Sequence, residues 1–229
     1  MKRSMLAKLR DAREARMPVA LISDIGDGTQ RLVSRKEAPA DSLAEVLDRG
    51  FRFDESRVVN AGGREYFINI YNPPLKLVLI GAVHIAQTLI PMARLLGYRV
   101  MVVDPRGAFA SPERFPDVEM AAEWPDEVLP KTGLDARTAI VLLTHDPKID
   151  DPALMAALAS ECFYIGALGS KRTHAQRLER FRGRGFDEQQ LARIHAPIGL
   201  DIGARGAPEI AAAIIAEITK VLRRGAEAP

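Results

Sequence analysis

The sequence predicts an α/β fold: a parallel sheet with helices on both faces, preceded by a small α+β N-terminal domain. Three observations carry this. Residues 75–104, LKLVLIGAVHIAQTLIPMARLLGYRVMVVD, read as an apolar strand, a glycine turn, an amphipathic helix and a second apolar strand ending on Asp104. Apolar strands then alternate with helical patterns to the end of the chain, as a parallel sheet requires. Before residue 72 the pattern changes to hairpin signals between short helices.

Each element has its own warrant. MKRSMLAKLRDAREARM is charged and lacks the apolar stretch of a secretory signal. Its four arginines and two lysines suit a transit peptide, but Asp11, Glu14 and the spacing of Leu6 and Leu9 favour a short surface helix. VALISDI (19–25), the turn GDG (26–28) and QRLVS (30–34) form a hairpin signal. ADSLAEVLDRG (40–50) reads as a helix ended by Gly50. SRVVNAGGREYFINIYNPP reads as strand, turn, strand, with Asn60-Ala61-Gly62-Gly63 as the tight connection. Asn72-Pro73-Pro74 is the expected linker, since neither proline continues a ladder. The domains are therefore expected at 1–72 and 75–229.

In the second domain LKLVLIG is the first strand, HIAQTLIPMARLLG the first helix, kinked or shortened by Pro91, and YRVMVVD the second strand. Residues 105–124 look irregular apart from a short strand near 118–120. TAIVLLT (138–144) is a buried strand. DDPALMAALAS (150–160) opens with the helix-start pair Asp-Pro. CFYIGAL (162–168) is a strand, and SKRTHAQRLERFRGRG, DEQQLARI and APEIAAAIIAEITKVLRR (207–224) are helices.

Composition excludes several classes. No apolar run reaches the roughly 18 residues of a membrane span, so no membrane partner is expected. A single cysteine, Cys162, excludes an internal disulfide and a cysteine-rich metal site. A reducing cytoplasm is the expected compartment. Cys162 begins a buried strand, where it reads as core rather than as a nucleophile. Lys171, Arg172, Arg177, Arg180, Arg182 and Arg184 are the densest basic run, but Glu179 interrupts it, and no nucleic-acid partner is expected.

Ligands of open α/β sheets gather beyond the carboxyl ends of the strands. In the dinucleotide fingerprint Gly81 takes the first small position and Ala86 the third, but Val83 stands at the second, where a pyrophosphate comes closest. Ala82, Val83 and His84 line the turn, and the helix start favours an anion. Asp104, 23 residues after Gly81, is placed as a ribose-binding acid, and Arg106 as a stacking or phosphate-binding residue. The other reading of this unit is scaffold alone. Thr144-His145-Asp146-Pro147 follows the next strand. His145 and Asp146 are the catalytic candidates for acid–base work, against local capping by Asp146 or Asp150. Gly169-Ser170-Lys171-Arg172 places glycine, a capping hydroxyl and two cations at a helix start, an anion site or a solvated helix end. Pro197–Gly203 is a glycine-punctuated loop, either a lid or a packed connector. No metal-ligand cluster is evident.

Together LVLIGAVHIAQTLIPMARLLGYRVMVVDPR, LLTHDPKIDDPAL, YIGALGSKRTHAQR and IHAPIGLDIGARGAPEIAAAIIAEI resemble the C-terminal Rossmann domain of the XdhC/CoxI family over about residues 75–224. The resemblance implies an accessory factor for xanthine dehydrogenase or a related molybdenum hydroxylase, more a cofactor chaperone than an enzyme. It implies molybdenum cofactor (molybdopterin) as cargo, a phosphate-bearing pterin whose dithiolene carries the metal. The implied partners are the hydroxylase apo-enzyme, and a cysteine desulfurase or a separate XdhC protein of the N-terminal type. Residues 1–72 lack the cysteine-containing segment of long family members, and Gly206-Ala207-Pro208-Glu209 departs from the family's Thr-Pro-Glu-Glu.

Two rivals stay open. One is an NAD(P)-dependent oxidoreductase, with NAD(P) as cofactor and His84 or His145 as acid, against which Val83 argues. The other is a nucleotide-sensing regulatory domain. Ile210, Ile214, Ile215 and Ile218 exceed what one sheet face obviously needs and suggest a homodimer.

Overall fold

The computed structural model describes residues 3–107, 109 and 113–224. Met1, Lys2 and the segment 225–229, which the expected domains include, lie outside the described residues. The chain divides into two compact units between Pro73 and Pro74.

The first unit begins with helix α1 (Arg3–Glu14) and hairpin β1 (Val19–Asp24) and β2 (Gln30–Ser34). A single 3-10 turn at Ala38–Ala40 leads into α2 (Ala44–Phe53), followed by β3 (Arg57–Ala61) and β4 (Arg64–Tyr71). The four strands form one antiparallel sheet in the order β2-β1-β4-β3. The Gly62–Gly63 turn takes positive φ at both positions (59° and 75°), as a two-residue hairpin with native twist demands. Ala20, Ile22, Val33, Leu47, Phe51 and Ile68 form the core between sheet and α2.

Gly50 does not end α2. It lies inside the helix, where a Cβ would come within 2.9 Å of the Ile70 side chain. The glycine lets β4 approach, and the helix stops at Asp54, which adopts left-handed φ of 57°.

The second unit is a six-stranded sheet of β5 (Lys76–Ile80), β6 (Arg99–Val103), β7 (Glu119–Ala121), β8 (Thr138–Leu142), β9 (Tyr164–Ala167) and β10 (Ile194–His195). All neighbours are parallel, in the order β10-β9-β8-β5-β6-β7. Helices α3 (His84–Leu95) and α8 (Ala207–Arg224) cover one face. On the other face lie α4 (Pro125–Thr132), α5 (Pro147–Leu158), α6 (Lys171–Arg182) and α7 (Glu188–Leu191). The central strands are buried on both faces, which explains their unbroken apolar runs.

Three elements differ from expectation. Helix α5 starts earlier, with Asp146 capping the Lys148 N–H and Pro147 in the first turn, so Asp151-Pro152 sits inside it. Helix α4 is disguised by two prolines, one of them in the first turn, where its missing N–H costs nothing. Strand β10 lies in a stretch that reads as helix and loop, because two residues are too few to display a period. Ile214 and Ile218 belong to the core between α8, α3 and the sheet, and Ile210 and Ile215 pack against it, partly buried. No helix is long and apolar enough to cross a membrane among the described residues.

Candidate functional site

The sheet has one switch point. From β5 the chain moves outward to β6 and β7, then returns to continue as β8, β9 and β10 on the other side. The turns after β5 and β8 therefore leave in opposite directions, and a crevice opens between them at the carboxyl edge. Gly81 and Thr144 line its floor. Gly81 has φ of +113°, and a Cβ there would lie 2.7 Å from the Thr144 methyl carbon. Its N–H is held by the Val103 carbonyl at 2.9 Å.

The turn then aims Ala82 at Asp104. The Ala82 N–H donates to Asp104 Oδ2 at 2.7 Å. Arg106 supplies three more donors: its N–H and Nε to Oδ1 at 3.0 and 2.9 Å, and Nη2 to Oδ2 at 2.8 Å. A carboxylate offers about four lone-pair positions, and all are taken. Asp104 is completely buried. Burial alone would raise its carboxyl, but the Arg106 guanidinium and the two N–H groups outweigh it and hold it below the usual range. The expected ribose-binding acid thus serves to hold Arg106. The Arg106 side chain is 34% exposed, and its guanidinium stacks on Phe109 at 4.6 Å. Val83 caps α3 with extended backbone and packs on the core beneath, while exposed His84 opens the helix.

Beyond β8, Thr144 donates its hydroxyl to Asp150 at 2.6 Å and accepts the Asp146 N–H at 3.1 Å. His145 is exposed and holds φ of 62°, a backbone state that non-glycine residues rarely adopt. No hydrogen bond joins it to Asp146, whose carboxylate accepts the Lys148 N–H at 2.9 Å instead. The structure therefore gives Asp146 a capping contact and no hydrogen bond to His145, whose charge is felt instead by Asp150. Asp150 is almost wholly buried, and burial pushes its carboxyl up against the pull of the Thr144 hydroxyl and Arg177.

Beyond β9, Gly169 turns with φ of +140° and Ser170 caps α6 by accepting the Thr173 N–H at 3.1 Å. Lys171 and Arg172 are exposed at the helix start. The rest of the basic run is engaged. Arg180 grips Asp151 with two bonds at 3.1 and 2.9 Å, and Arg184 approaches the same carboxylate at 3.3 Å. Arg182 pairs with Glu179 and Glu188. Arg177 is buried, with one bond, from Nη2 to the Leu168 carbonyl at 3.1 Å. Burial lowers its affinity for its proton, and burial also lowers that of neighbouring His174.

Sequence reasoning misses a second polar cluster. Glu217 of α8 accepts the Tyr164 hydroxyl and, at 2.8 Å, the Gly199 N–H. His195 lies 3.7 Å from the same carboxylate and stacks on Tyr164 with ring centroids 4.7 Å apart. Gly166 leaves the room, since a Cβ there would meet the Tyr164 hydroxyl at 2.7 Å and Ile198 at 2.4 Å. Glu217 stands on the apolar stripe of α8, the one signal that points to it. The cluster pins the start of the 197–203 loop. Cys162 is buried, and burial raises its thiol, as befits a core residue.

An apolar groove of about 520 Å³ runs between α3 and residues 114–118, but none of the residues named for the site lines it. The described residues contain no group of three or more His, Cys, Asp or Glu placed to hold a metal.

Known proteins share this architecture. A solved structure from Bacillus halodurans, named as a xanthine dehydrogenase, superposes with a TM-score of 0.70 over 97% of this chain and 67% of its own, at 23% identity. That likeness concerns the fold. Among sequences, the molybdenum cofactor insertion chaperone PaoD of Escherichia coli is 31% identical over 151 residues, 66% of this chain and 41% of PaoD. A Bacillus subtilis protein, named as a probable xanthine dehydrogenase subunit, is 30% identical over 69% of this chain and 46% of its own length. The E. coli protein YqeB, uncharacterized, is 29% identical over 88% of this chain and 38% of its own. The chain thus spans less than half the length of these curated relatives. The model of the XdhC Rossmann domain matches residues 77–218, well over half the sequence, and the chain belongs to that family.

Proposed function

We propose that this protein is a maturation factor for a molybdenum hydroxylase, one that holds molybdenum cofactor at the sheet edge and assists its sulfuration or its insertion into the apo-enzyme. The observation that carries the reading is the Arg106 guanidinium, held at the crevice by an Asp104 carboxylate with no acceptor left to offer. A ribose diol would have to displace Arg106, whereas a phosphate oxygen meets ready donors. NAD is accordingly the weaker ligand. The family membership and the name of PaoD support the cofactor as cargo and an apo-enzyme as client.

In this reading the protein binds rather than turns over. The free N–H groups at the start of α3, the Arg106 fork and the cations at the start of α6 would grip phosphate. His145 stands at the crevice as the candidate proton carrier. The place of work is the cytoplasm. A cysteine desulfurase, or a separate protein that supplies the cysteine segment, completes the set of partners.

The test is calorimetric titration of the purified protein with molybdenum cofactor under anaerobic conditions, with NAD and NADP as parallel ligands. Tight cofactor binding, weakened about tenfold or more by Arg106→Ala, is the expected result. Nicotinamide binding alone would replace this reading with the oxidoreductase.

A further inference from the structure

We infer that the sheet edge carries two separate anion subsites, one at Arg106 and one at the β9–α6 turn, and that its ligand is an elongated molecule with an anionic group for each. The identity of that ligand rests on the maturation reading; the two subsites stand on geometry.

The first subsite is the outer side of Arg106. Nε and one hydrogen of Nη2 are committed to Asp104. The remaining guanidinium hydrogens have no hydrogen-bond acceptor among the described residues, although the Asp146 and Asp150 carboxylates across the crevice are near enough to favour its charge. Asp104 beneath and Phe109 alongside fix the fork in place, so little ordering is needed when an anion arrives.

The second subsite begins with the first turn of α6, a helix of 12 residues. Ser170 satisfies the Thr173 N–H, and the N–H groups of Lys171 and Arg172 have no partner within the helix. The side chains of Lys171 and Arg172 make no ion pair among the described residues, while Arg180, Arg182 and Arg184 further along the chain all do.

Beneath this turn lies the independent observation. Arg177 is only 2% exposed, and its Nε and Nη1 have neither solvent nor a hydrogen-bond partner. Its single bond is to the Leu168 carbonyl, the residue before Gly169, so the guanidinium is directed at the turn. The acid on the neighbouring helix, Asp150, forms no ion pair with it and is engaged by Thr144. Burying a guanidinium without a contact carboxylate is costly, and a leucine or methionine would pack there more cheaply. Its charge is not screened by water and adds to the positive end of α6, where the free N–H groups point. Asp150 and Asp151 on α5 feel that charge without touching it, and Nε and Nη1 are still left without an acceptor.

The separation follows from topology. Strands β6, β5, β8 and β9 are consecutive neighbours, so their carboxyl ends are three strand spacings apart, about 14 Å. One compact phosphate group cannot reach both. A ligand that uses both must extend across the switch point.

Inorganic pyrophosphate is the probe, titrated into the intact chain by calorimetry with backbone amide shifts recorded in parallel. The expected result is two equivalents per chain. Arg106→Ala should remove one and leave the amide shifts at 169–172. The double variant Lys171→Ala/Arg172→Ala, on the surface, should remove the other. Arg177→Met should weaken the second at least tenfold and leave the first unchanged; should it not fold, the surface double variant decides alone. One equivalent, none, or loss of both in a single variant overturns the inference. Bound molybdenum cofactor should displace both equivalents, and displacement of only one overturns the elongated ligand. Two equivalents without any cofactor binding would leave the subsites standing and sink the maturation reading.

Discussion

Arg106 takes three of the four acceptor positions of the Asp104 carboxylate. Four donors converge on one buried carboxylate, three of them from Arg106 and one from the turn that opens α3. An acid that looks like a ligand-reader in the sequence is instead the mount for the residue two places on. The same contact ties the β5–α3 turn to the end of β6, so the shape of the crevice depends on it.

Arg106→Leu tests that dependence. It leaves the Asp104 charge buried with only N–H partners, and the loss should be about 3 kcal/mol at neutral pH. The sign with pH is definite. In the parent the carboxyl is held low, so its stabilisation is complete above the ordinary value of 3.8 and fades as pH falls through the depressed value. In the variant burial is no longer outweighed, and acid relieves the penalty. The gap between the two melting curves should be widest near pH 7 and narrow towards pH 3. A gap that does not change with pH would mean that Arg106 contributes packing and not charge.

Gly81→Ala should destabilise for two separable reasons. The new methyl group would lie 2.7 Å from the Thr144 methyl carbon, and φ of +113° is strained for any L side chain. Together these should cost about 2–4 kcal/mol. Adding Thr144→Ser removes the first and keeps the hydroxyl that Asp150 needs, so thermal melts should show partial recovery. Complete recovery would mean that the backbone strain is negligible.

What can be read in the sequence follows from how far each signal extends. The βαβ unit at 75–104 is long and periodic, so its strands, glycine turn and Asp104 are legible. The contact between Gly81 and Thr144 is not, because it joins turns more than sixty residues apart in the sequence. Helix α4 hides behind Pro125 and Pro130, and β10 behind its length of two residues. Gly50 looks like a helix stop because composition cannot tell a terminating glycine from one that admits Ile70. Arg177 reads as part of a solvated basic run, since a tally of charge does not say which side of a helix faces inward. Glu217 is visible as an acid between Ile214 and Ile218, but only the structure supplies the Tyr164 hydroxyl and Gly199 N–H that explain it.

Asp150 and Asp151 are neighbours in unlike surroundings, the first beside the Thr144 hydroxyl and the second beside Arg180. Asp150 is pushed up by burial, so between 3.8 and its raised value the folded chain holds a proton that the unfolded chain has released. Stability is therefore lost as pH rises through that window. Asp150→Asn removes this loss and still accepts the Thr144 hydroxyl. Its stability relative to the parent should improve steadily from pH 4 upward and then level off. Asp151→Asn instead breaks the two-bond pair with Arg180 and should cost about 1–3 kcal/mol at pH 7. An Asp150→Asn advantage that does not grow with pH would refute the assignment of the raised carboxyl to Asp150.

Glu217 makes the last case, because its removal strands groups that cannot reach water. Glu217→Leu suits the apolar stripe of α8, yet it leaves the buried Tyr164 hydroxyl and the Gly199 N–H without an acceptor. The expected cost is about 2–4 kcal/mol. Glu217→Gln keeps an acceptor and should cost less. Tyr164→Phe on top of Glu217→Leu removes one stranded group and should return part of the loss. Burial alone would raise the Glu217 carboxyl, but His195, Tyr164 and the Gly199 N–H hold it below 4.5. Its contribution is therefore present above 4.5 and lost as acid takes it through the lower value. Amide exchange at Gly199 gives the local readout: it should quicken in Glu217→Leu before the sheet itself loosens. If exchange there is unchanged, the loop is held by Ile198 in the space that Gly166 leaves, and the carboxylate only satisfies the tyrosine.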